Sequence, residues 1–200
     1  VGLEVFDENY TKVDDMKDAD AVLVRSAAMH DMDLDKNLKV IARAGAGVNN
    51  IPLTKCADHG IVVFNTPGAN ANAVKELVVL GLLISSRKVI TAMDWCKTIK
   101  DEGDNVGKVV EKGKSAFTGP EIKGKTLGVI GLGAIGRLVA EAAVDMGMKV
   151  IGYDPYFKKG NELKHGITIS DSLEEIFPVA DYITIHVPLL DSTKGMIDKK

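Results

Sequence analysis

Three closely spaced glycines are the residues in this sequence that point most directly to chemistry. Gly131, Gly133 and Gly136 follow the apolar run 127–130, and an apolar, helix-like segment, 137–146, comes after them. A strand, a glycine turn and a helix in this order bring backbone N–H groups and a helix N-terminus to a phosphate. Gly131 would allow the tight turn, Gly133 the approach of a pyrophosphate, and Gly136 close packing of helix and sheet. The pattern therefore predicts a dinucleotide site.

An acidic residue after the next strand narrows the choice of dinucleotide. Asp154 follows Gly136 by about 18 residues, close to the spacing of about 20 for an acid that binds the adenosine ribose. Its carboxylate would accept hydrogen bonds from the ribose hydroxyls and repel a 2′-phosphate, which favours NAD over NADP. Asp154 could also be a turn former before Pro155. The strand, the helix and the acid together favour the dinucleotide interpretation.

Two arginines end strand-like segments in the first third of the chain. Arg25 ends the segment 21–25 and Arg43 ends the segment 38–43. Because the C-terminal ends of parallel strands meet at one edge of a sheet, two guanidiniums there could bind a phosphate or carboxylate. Surface arginines without a ligand remain an equal alternative. The residues that follow, 45–47, are Gly45, Ala46 and Gly47, which predict either an anion-binding nest of backbone N–H groups or a plain turn.

Two more polar residues stand at the ends of predicted elements. Asn70 precedes a long helical pattern, so it could cap that helix or bind a ligand through its amide, and capping is the favoured interpretation. His186, with Val187 and Pro188, ends the strand-like segment 182–186 and would border the cofactor. His186 could act as a base, but we favour a structural role at the strand end.

Composition excludes several classes of function. The 200 residues are 46% hydrophobic with a net charge of −3, which supports a substantial core and gives no basic surface for nucleic acid. The longest apolar run, around 77–84, is too short to cross a membrane. Cys56 and Cys96 form no metal or redox motif, so no metal site is predicted and a reducing cytosol suits both thiols.

Strand and helix patterns alternate along the chain, as in parallel α/β proteins. Strands are predicted at 21–25, 38–43, 61–65, 127–130, 166–169 and 182–186, with another ending at Asp154. Helices are predicted at 50–59, with Asn49 and Asn50 as caps, at 70–95, and after Ser170 or Asp171. The charged region 99–125 is predicted to be an exposed arm. The chain would then form two units, 1–67 and 68–200, with a ligand cleft between them as the default site.

Taken in order, the motifs resemble the D-isomer-specific 2-hydroxyacid dehydrogenases. They are VRS at 24–26, IARAGAGVNNI at 41–51, GIVVFNTP at 60–67, GKTLGVIGLGAIG at 124–136, GYDP at 152–155, and HVPL at 186–189 with Thr193. The resemblance covers nearly the whole chain. It implies an α/β fold with part of a flavodoxin-like substrate domain at 1–67 and part of a Rossmann dinucleotide-binding domain at 68–200.

The resemblance also assigns roles to residues. Arg25 and Arg43 match positions that hold a substrate phosphate, while Gly45, Ala46, Gly47 and Asn70 match groups that bind the carboxylate end. Together with the glycine pattern, it predicts an NAD site formed by Gly131, Gly133, Ala134, Ile135, Gly136, Tyr153, Asp154, Pro155, His186, Val187, Pro188 and Thr193. The family's catalytic Arg, Glu and His would lie beyond Lys200, so no catalytic residue is expected within this chain.

The activity implied is NAD-dependent oxidation of D-3-phosphoglycerate to 3-phosphohydroxypyruvate in serine biosynthesis. Family members are cytoplasmic homodimers or homotetramers that act on small acids, with no nucleic acid or membrane partner, and the long helix and the arm form their subunit contact. Another D-2-hydroxy acid, such as glycerate or lactate, is the first alternative. An NAD-sensing binding protein related to transcriptional corepressors is the second, and we rank it lower.

Overall fold

The computed structural model describes residues 2–157, 163 and 166–198 of the chain. The chain divides into two compact units, Val1–Asn70 and Ala71–Lys200, and each contains its own parallel sheet. Each unit also has its own buried apolar cluster. These observations confirm the α/β class with two parallel sheets.

The sheet of the first unit has three parallel strands in chain order. They are β1 (Ala21–Val24), β2 (Val40–Arg43) and β3 (Val62–Asn65). Their register aligns Val24 with Arg43 and Arg43 with Asn65, so all three strands end at the same level. The loops that leave these ends therefore start side by side at one edge of the sheet.

Apolar side chains from strands and connections form the core of the first unit. Residues 25–39 connect β1 to β2 through turns without an α-helix, and three of their side chains pack into the core in place of a helix face. Burial of apolar surface is what fixes this irregular connection on the sheet. The buried cluster comprises Val24, Met29, Leu34, Leu38, Ile41, Ile51, Cys56 and Ile61.

The helix between β2 and β3 is shorter than the sequence pattern predicts. It is α1 (Leu53–Asp58), and Pro52 stands at its N-cap without a side-chain hydrogen bond. The predicted caps contact the preceding loop instead: Asn50 Nδ2 donates to the Ala27 carbonyl at 2.8 Å, and the Asn49 carbonyl lies 2.9 Å from His30 Nε2. The prediction of a helix from residue 50 is wrong because these residues join two loops rather than start a helix.

Four parallel strands form the sheet of the second unit, in the order β6-β5-β4-β7. They are β4 (Thr126–Ile130), β5 (Lys149–Tyr153), β6 (Ile167–Ile169) and β7 (Tyr182–Ile185). The chain builds outward from β4 through β5 to β6, and then returns to the other side of β4 with β7. The strand order therefore reverses beside β4, and such a switch point is where parallel sheets bind ligands.

The long predicted helix is two helices. α2 (Ala71–Arg87) ends before Lys88, which has a positive φ of 49°, and α3 (Val89–Thr98) begins after it. The chain at Gly119 passes so close to the Ser86 carbonyl that a Cβ there would overlap it. The prediction of one helix over 70–95 is wrong because apolar periodicity continues through this break.

The segment 99–125 is folded, with both of its ends buried. It contains α4 (Val106–Gly113) between two short 3₁₀ turns, and Ile99 and Ile122 are buried at its two ends. The rings of Trp95 and Phe117 lie 5.0 Å apart and connect it to α3. No residue of α4 itself is buried.

The connection between β6 and β7 differs from the prediction as well. Residues 171–180 form turns, so the helix predicted after Ser170 is wrong. Pro178 disfavours a helical conformation before it and has no N–H to donate. Ile176 is nevertheless fully buried, and its side chain occupies the space where Gly128 of β4 lacks a Cβ.

The helix after β4, α5 (Ala134–Asp145), packs against the sheet and against α2. Its buried face consists of Gly136, Val139, Ala140 and Ala143. A Cβ on Gly136 would overlap the backbone carbonyl of Gly131, so only glycine lets α5 begin this close to the end of β4. The sequence pattern predicts this role for Gly136.

We expect Gly136→Ala to lower the free energy of unfolding by roughly 1–3 kcal/mol, because the clash is with backbone and no side chain can move to relieve it. Chemical denaturation checks this. Gly107→Ala is the matched control: Gly107 also lies in a helix, α4, but an added Cβ there meets no atom within 4 Å. Alanine should be neutral or stabilising there by up to about 1 kcal/mol. Equal effects of the two substitutions would contradict the packing argument.

Candidate functional site

The glycine turn lies at the switch point of the four-stranded sheet. Gly131 has a φ of +92°, and its N–H donates to the Tyr153 carbonyl at 2.8 Å. A Cβ on Gly131 would come within 2.9 Å of the His186 carbonyl oxygen. The turn is therefore confined between the ends of β5 and β7, and a side chain would be strained by φ and by contact alike.

The next glycine faces open space. Gly133 is exposed at the N-cap of α5, and a Cβ there would meet no atom within 4 Å. Ala134, also exposed, and Ile135, half-buried, form the first turn of the helix. The N-terminus of a helix presents backbone N–H groups and the positive end of its dipole. An anionic group can therefore approach the backbone here, as a pyrophosphate would.

Asp154 ties the end of β5 to the glycine turn. Its Oδ2 accepts a hydrogen bond from the Leu132 N–H at 2.9 Å, and its Oδ1 accepts one from the Tyr156 N–H at 2.9 Å. Each carboxylate oxygen has a further lone pair, so hydroxyl groups of a ligand could still be bound. The carboxylate therefore stabilises the loop as well as standing at the predicted ribose position.

Leu132 explains how the turn stays in place. Its side chain is buried in the core of the unit, against the position where Gly152 of β5 lacks a Cβ. Tyr153 ends β5 half-buried, and Pro155 follows Asp154 at the surface. The loop is thus held by one apolar side chain below it and one carboxylate beside it.

The end of β7 forms the other side of this site. The His186 N–H donates to the Ile130 carbonyl at 2.7 Å, which extends the pairing with β4 by one residue. The Nε2 of His186 lies 2.9 Å from the Thr184 hydroxyl. The imidazole is half-buried, and this desolvation lowers the pKa of His186 below its usual value of 6.5. The neutral imidazole is therefore favoured at pH 7, and the role of His186, structural or as a base, stays a prediction.

A shallow pocket of about 250 Å³ follows His186. Val187, Pro188 and Thr193 line it together with Leu189 and Met196. The Thr193 hydroxyl donates to the Pro188 carbonyl at 2.6 Å and accepts from the Leu190 N–H at 2.8 Å, so it closes the loop 188–193 on itself. The structure thus brings the predicted cofactor residues of β4, β5 and β7 to one edge of the sheet; their contact with NAD stays a prediction.

In the first unit, the two arginines lie at adjacent strand ends. Arg43 Nε donates to the Arg25 carbonyl at 3.2 Å. A Cβ on Gly45, whose φ is +151°, would overlap Arg43 Nη1, and a Cβ on Gly47 would lie 3.8 Å from the same atom. The guanidinium therefore lies over the glycines of the loop that follows it.

The loop 43–47 is bonded to two residues that the sequence analysis did not assign. The Thr66 hydroxyl accepts from the Gly45 N–H at 2.7 Å and donates to the Arg43 carbonyl at 3.3 Å. Asn65 Nδ2 donates to the Ala46 carbonyl at 2.7 Å. The Gly45 N–H is thus bonded within the protein, while Ala46 and Gly47 are exposed. The signal that could have identified Asn65 and Thr66 is their position at the end of β3, beside Arg43.

Asn70 is the last residue of the first unit and precedes α2 at the surface. Its predicted roles, as a cap or as a ligand contact, stay predictions. Among the helices of the described residues, none combines the length and the apolar character needed to cross a bilayer. The described ranges likewise contain no group of three or more His, Cys, Asp or Glu side chains placed to hold a metal ion.

Comparison with known proteins identifies relatives of this chain. Residues 82–200 match the family model "D-isomer specific 2-hydroxyacid dehydrogenase, NAD binding domain". The hydroxypyruvate reductase of Thermotoga maritima is 40% identical over 204 residues, which cover 99% of this chain and 62% of that protein. The D-3-phosphoglycerate dehydrogenase of Methanocaldococcus jannaschii is 39% identical over 188 residues, which cover 92% of this chain and 34% of that protein.

A solved structure gives the same result for the fold. The NAD⁺-bound 3-phosphoglycerate dehydrogenase of Entamoeba histolytica aligns with a TM-score of 0.65 and 34% identity, over 94% of this chain and 54% of that one. The chain therefore spans between about a third and three-fifths of the length of these relatives. The open helix N-terminus at Gly133 and the acid at the predicted ribose position are compatible with the dinucleotide that this family uses.

The half-buried His186 should make the stability of this unit depend on pH. The unfolded chain takes up a proton at this histidine near pH 6.5, whereas the folded state resists protonation because its pKa is lowered. The free energy of unfolding should therefore be highest above pH 6.5 and fall as the pH decreases through the lowered pKa. His186→Gln, which keeps a polar group beside Thr184, should show a smaller decrease between pH 7 and pH 5 in thermal unfolding. An unchanged pH dependence would contradict this cause.

Proposed function

The chain belongs to the D-isomer-specific 2-hydroxyacid dehydrogenase family, and we propose that it forms part of an NAD-dependent enzyme. The proposed reaction is the oxidation of D-3-phosphoglycerate to 3-phosphohydroxypyruvate in serine biosynthesis. The second unit of the chain carries the NAD-binding domain of that family, and NAD is its cofactor. When bound, NAD accepts the hydride that leaves C2 of the hydroxy acid. The first unit is the proposed substrate domain.

The position of Arg43 is the observation that supports a phosphorylated substrate. Its guanidinium lies over Gly45 and Gly47 and beside the Arg25 carbonyl. Arg25 carries a second guanidinium at the adjacent strand end. Arginine binds phosphate through a planar set of donors, and the exposed Ala46 and Gly47 add backbone N–H groups. Two cations and a glycine-rich loop are more than a single carboxylate needs, which supports an acid that carries two anionic groups.

The second unit has a defined part in this reaction. The proposed cofactor site uses the N-terminus of α5 beyond Gly133 for the pyrophosphate and Asp154 for the ribose. The loop after β7, with Val187, Pro188 and Thr193, would complete it. The base that removes the hydroxyl proton is the family's His, oriented by its Glu, and we expect both outside this chain, together with the Arg that binds the carboxylate.

Oligomer formation is the remaining part of the proposal. Large apolar side chains are exposed on α2 and α3, and they include Leu77, Leu80, Leu83, Ile90 and Met93. Exposed apolar surface of this kind is typical of a protein interface. It supports a homodimer or homotetramer in which these helices meet a second copy. We expect a cytoplasmic enzyme.

A second candidate substrate follows from the relative that is a hydroxypyruvate reductase. Its identity to this chain, 40%, is about the same as that of the phosphoglycerate dehydrogenase from Methanocaldococcus jannaschii, 39%. A non-phosphorylated acid such as glycerate is therefore the alternative. The effect of Arg43 on substrates with and without phosphate distinguishes the two.

Asp154→Ala tests the choice of cofactor. NAD binding should weaken by about 10- to 100-fold, since hydrogen bonds to a charged group contribute about 1.5–3 kcal/mol, and the preference for NAD over NADP should shrink. The decisive quantity is the ratio of the dissociation constants of NAD and NADP, because the loss of the bond to Leu132 weakens the binding of both cofactors alike. Glu174→Ala, which removes an exposed carboxylate in the same unit, is the control and should keep the ratio. An unchanged ratio in Asp154→Ala would exclude the ribose role.

Arg43→Ala tests the substrate. In NADH formation by the complete protein, the KM for D-3-phosphoglycerate should rise about 10- to 100-fold, and the KM for D-glycerate much less, because only the former loses a charged pair with phosphate. Lys36→Ala removes an exposed cation from the same unit and should change neither value. If KM rises equally for both acids, the phosphate assignment fails. If no D-2-hydroxy acid yields NADH, the proposed function fails.

A further inference from the structure

Within the loop 43–47 the Gly45 N–H donates to the Arg43 carbonyl at 2.9 Å, and further hydrogen bonds reach the loop from outside. It lies beyond the end of β2 and contains two glycines, of which Gly45 has a φ of +151°. Glycine-rich backbone loses more conformational entropy on ordering than any other, so such a loop samples many shapes unless other groups hold it. If a ligand binds only one of these shapes, its apparent affinity is reduced by the fraction of molecules that have that shape.

Two residues at the end of β3 supply those bonds. Thr66 contacts both polar backbone groups of Gly45: its hydroxyl accepts from the N–H at 2.7 Å, and its own N–H donates to the carbonyl at 3.1 Å. The same hydroxyl donates to the Arg43 carbonyl at 3.3 Å, and Asn65 Nδ2 donates to the Ala46 carbonyl at 2.7 Å. Three residues of the loop are thus bonded through their backbone to the end of β3. In the described residues, none of these bonds uses the Ala46 or Gly47 N–H.

We propose that Asn65 and Thr66 are positioning residues for the anionic substrate, which they serve by fixing loop 43–47 with the Arg43 guanidinium over its glycines. The inference rests on the proposed function, and it assigns to β3 a part in substrate affinity that does not require contact with the substrate. The ligand chemistry is that of a small acid with a phosphate or carboxylate group. Neither side chain is needed to build the sheet, since both lie exposed at its edge.

The glycines and the arginine explain why the loop must be held in one shape. Arg43 Nη1 occupies the space that a Cβ of Gly45 would fill, so the guanidinium and the loop backbone are in contact. In another conformation of Gly45, its N–H would leave Thr66 and the Arg43 carbonyl, and its own carbonyl would lose the Thr66 N–H and stand unpaired near the guanidinium. The carbonyl would then accept hydrogen bonds from the guanidinium and compete with the substrate for it. Thr66 prevents this by bonding both groups of Gly45.

Three substitutions separate this role from a general effect on folding. Thr66→Val keeps the shape of the side chain and removes only the hydroxyl. Thr66→Ser keeps the hydroxyl and should rescue the function. Asn65→Leu keeps the side chain uncharged and similar in size, and removes the amide that donates to the Ala46 carbonyl. Thr54→Val is the matched control, because it removes an exposed hydroxyl from α1 in the same unit.

Two measurements on the complete protein test the inference. The first is amide hydrogen exchange at Gly45 without ligand, which should become faster in Thr66→Val and stay protected in Thr66→Ser. The second is the KM for D-3-phosphoglycerate, which should rise about tenfold in Thr66→Val and in Asn65→Leu, as expected for the loss of about one net hydrogen bond to the loop. The value of kcat and the dissociation constant of NAD should hardly change, since the glycine turn at 131–136 belongs to the other unit.

The outcomes distinguish this inference from the proposed function. An unchanged KM in Thr66→Val, or a raised KM that Thr66→Ser does not restore, contradicts the positioning role and leaves the proposed function intact. Faster exchange at Gly45 without a change in KM means a structural role only and also overturns it. If Thr66→Val is unfolded at the assay temperature, Asn65→Leu and Thr66→Ser decide by the same criteria. A wild-type protein that neither binds nor oxidises any D-2-hydroxy acid contradicts both the inference and the proposed function.

Discussion

The second unit depends on the close approach of α5 to the end of β4. Gly136 has no Cβ, so the backbone of α5 can lie against the Gly131 carbonyl. This approach sets where the helix begins, and hence where its unpaired N–H groups and its dipole are directed. Because α5 begins so close to β4, the chain turns with a φ of +92° at Gly131, and the space at Gly133 stays open in front of the helix.

A carboxylate and an apolar side chain hold this turn from two directions. Asp154 accepts the Leu132 N–H, and the Leu132 side chain fills the space beside Gly152 in β5. The acid that we propose for the ribose is therefore also part of the loop's own structure. A site arranged in this way is ordered before its cofactor arrives, which reduces the conformational cost of binding. It also means that the loss of Asp154 affects more than the recognition of a ribose.

The first unit solves a similar problem in another way. Its candidate anion loop has no helix of useful length behind it, because α1 is short and begins six residues after Gly47. Side chains hold the loop instead, since Thr66 and Asn65 bond it from β3, while Asn50 and Arg43 bond the loop that follows β1. The three strand ends are thereby connected at one edge. The candidate anion sites of the two units thus both expose backbone N–H groups. A helix holds these groups in the second unit, and side chains hold them in the first.

The sequence alone determined the parallel strands, the glycine turn and the acid at Asp154, because each depends on a local pattern: apolar runs, missing side chains and a fixed spacing. It also placed Arg25 and Arg43 at the ends of two strand patterns, and the register of β1 with β2 shows that these ends are level. The break at Lys88 and the late start of α1 were decided by tertiary structure, because contacts distant in sequence, Gly119 at Ser86 and Asn50 at Ala27, outweighed a local preference. The missing helix after Ser170 has a local cause in Pro178, and the tertiary structure decided only that Ile176 packs at Gly128. The bonds from Thr66 and Asn65 belong to the same class, because only the pairing of β2 with β3 brings residues some twenty positions apart together.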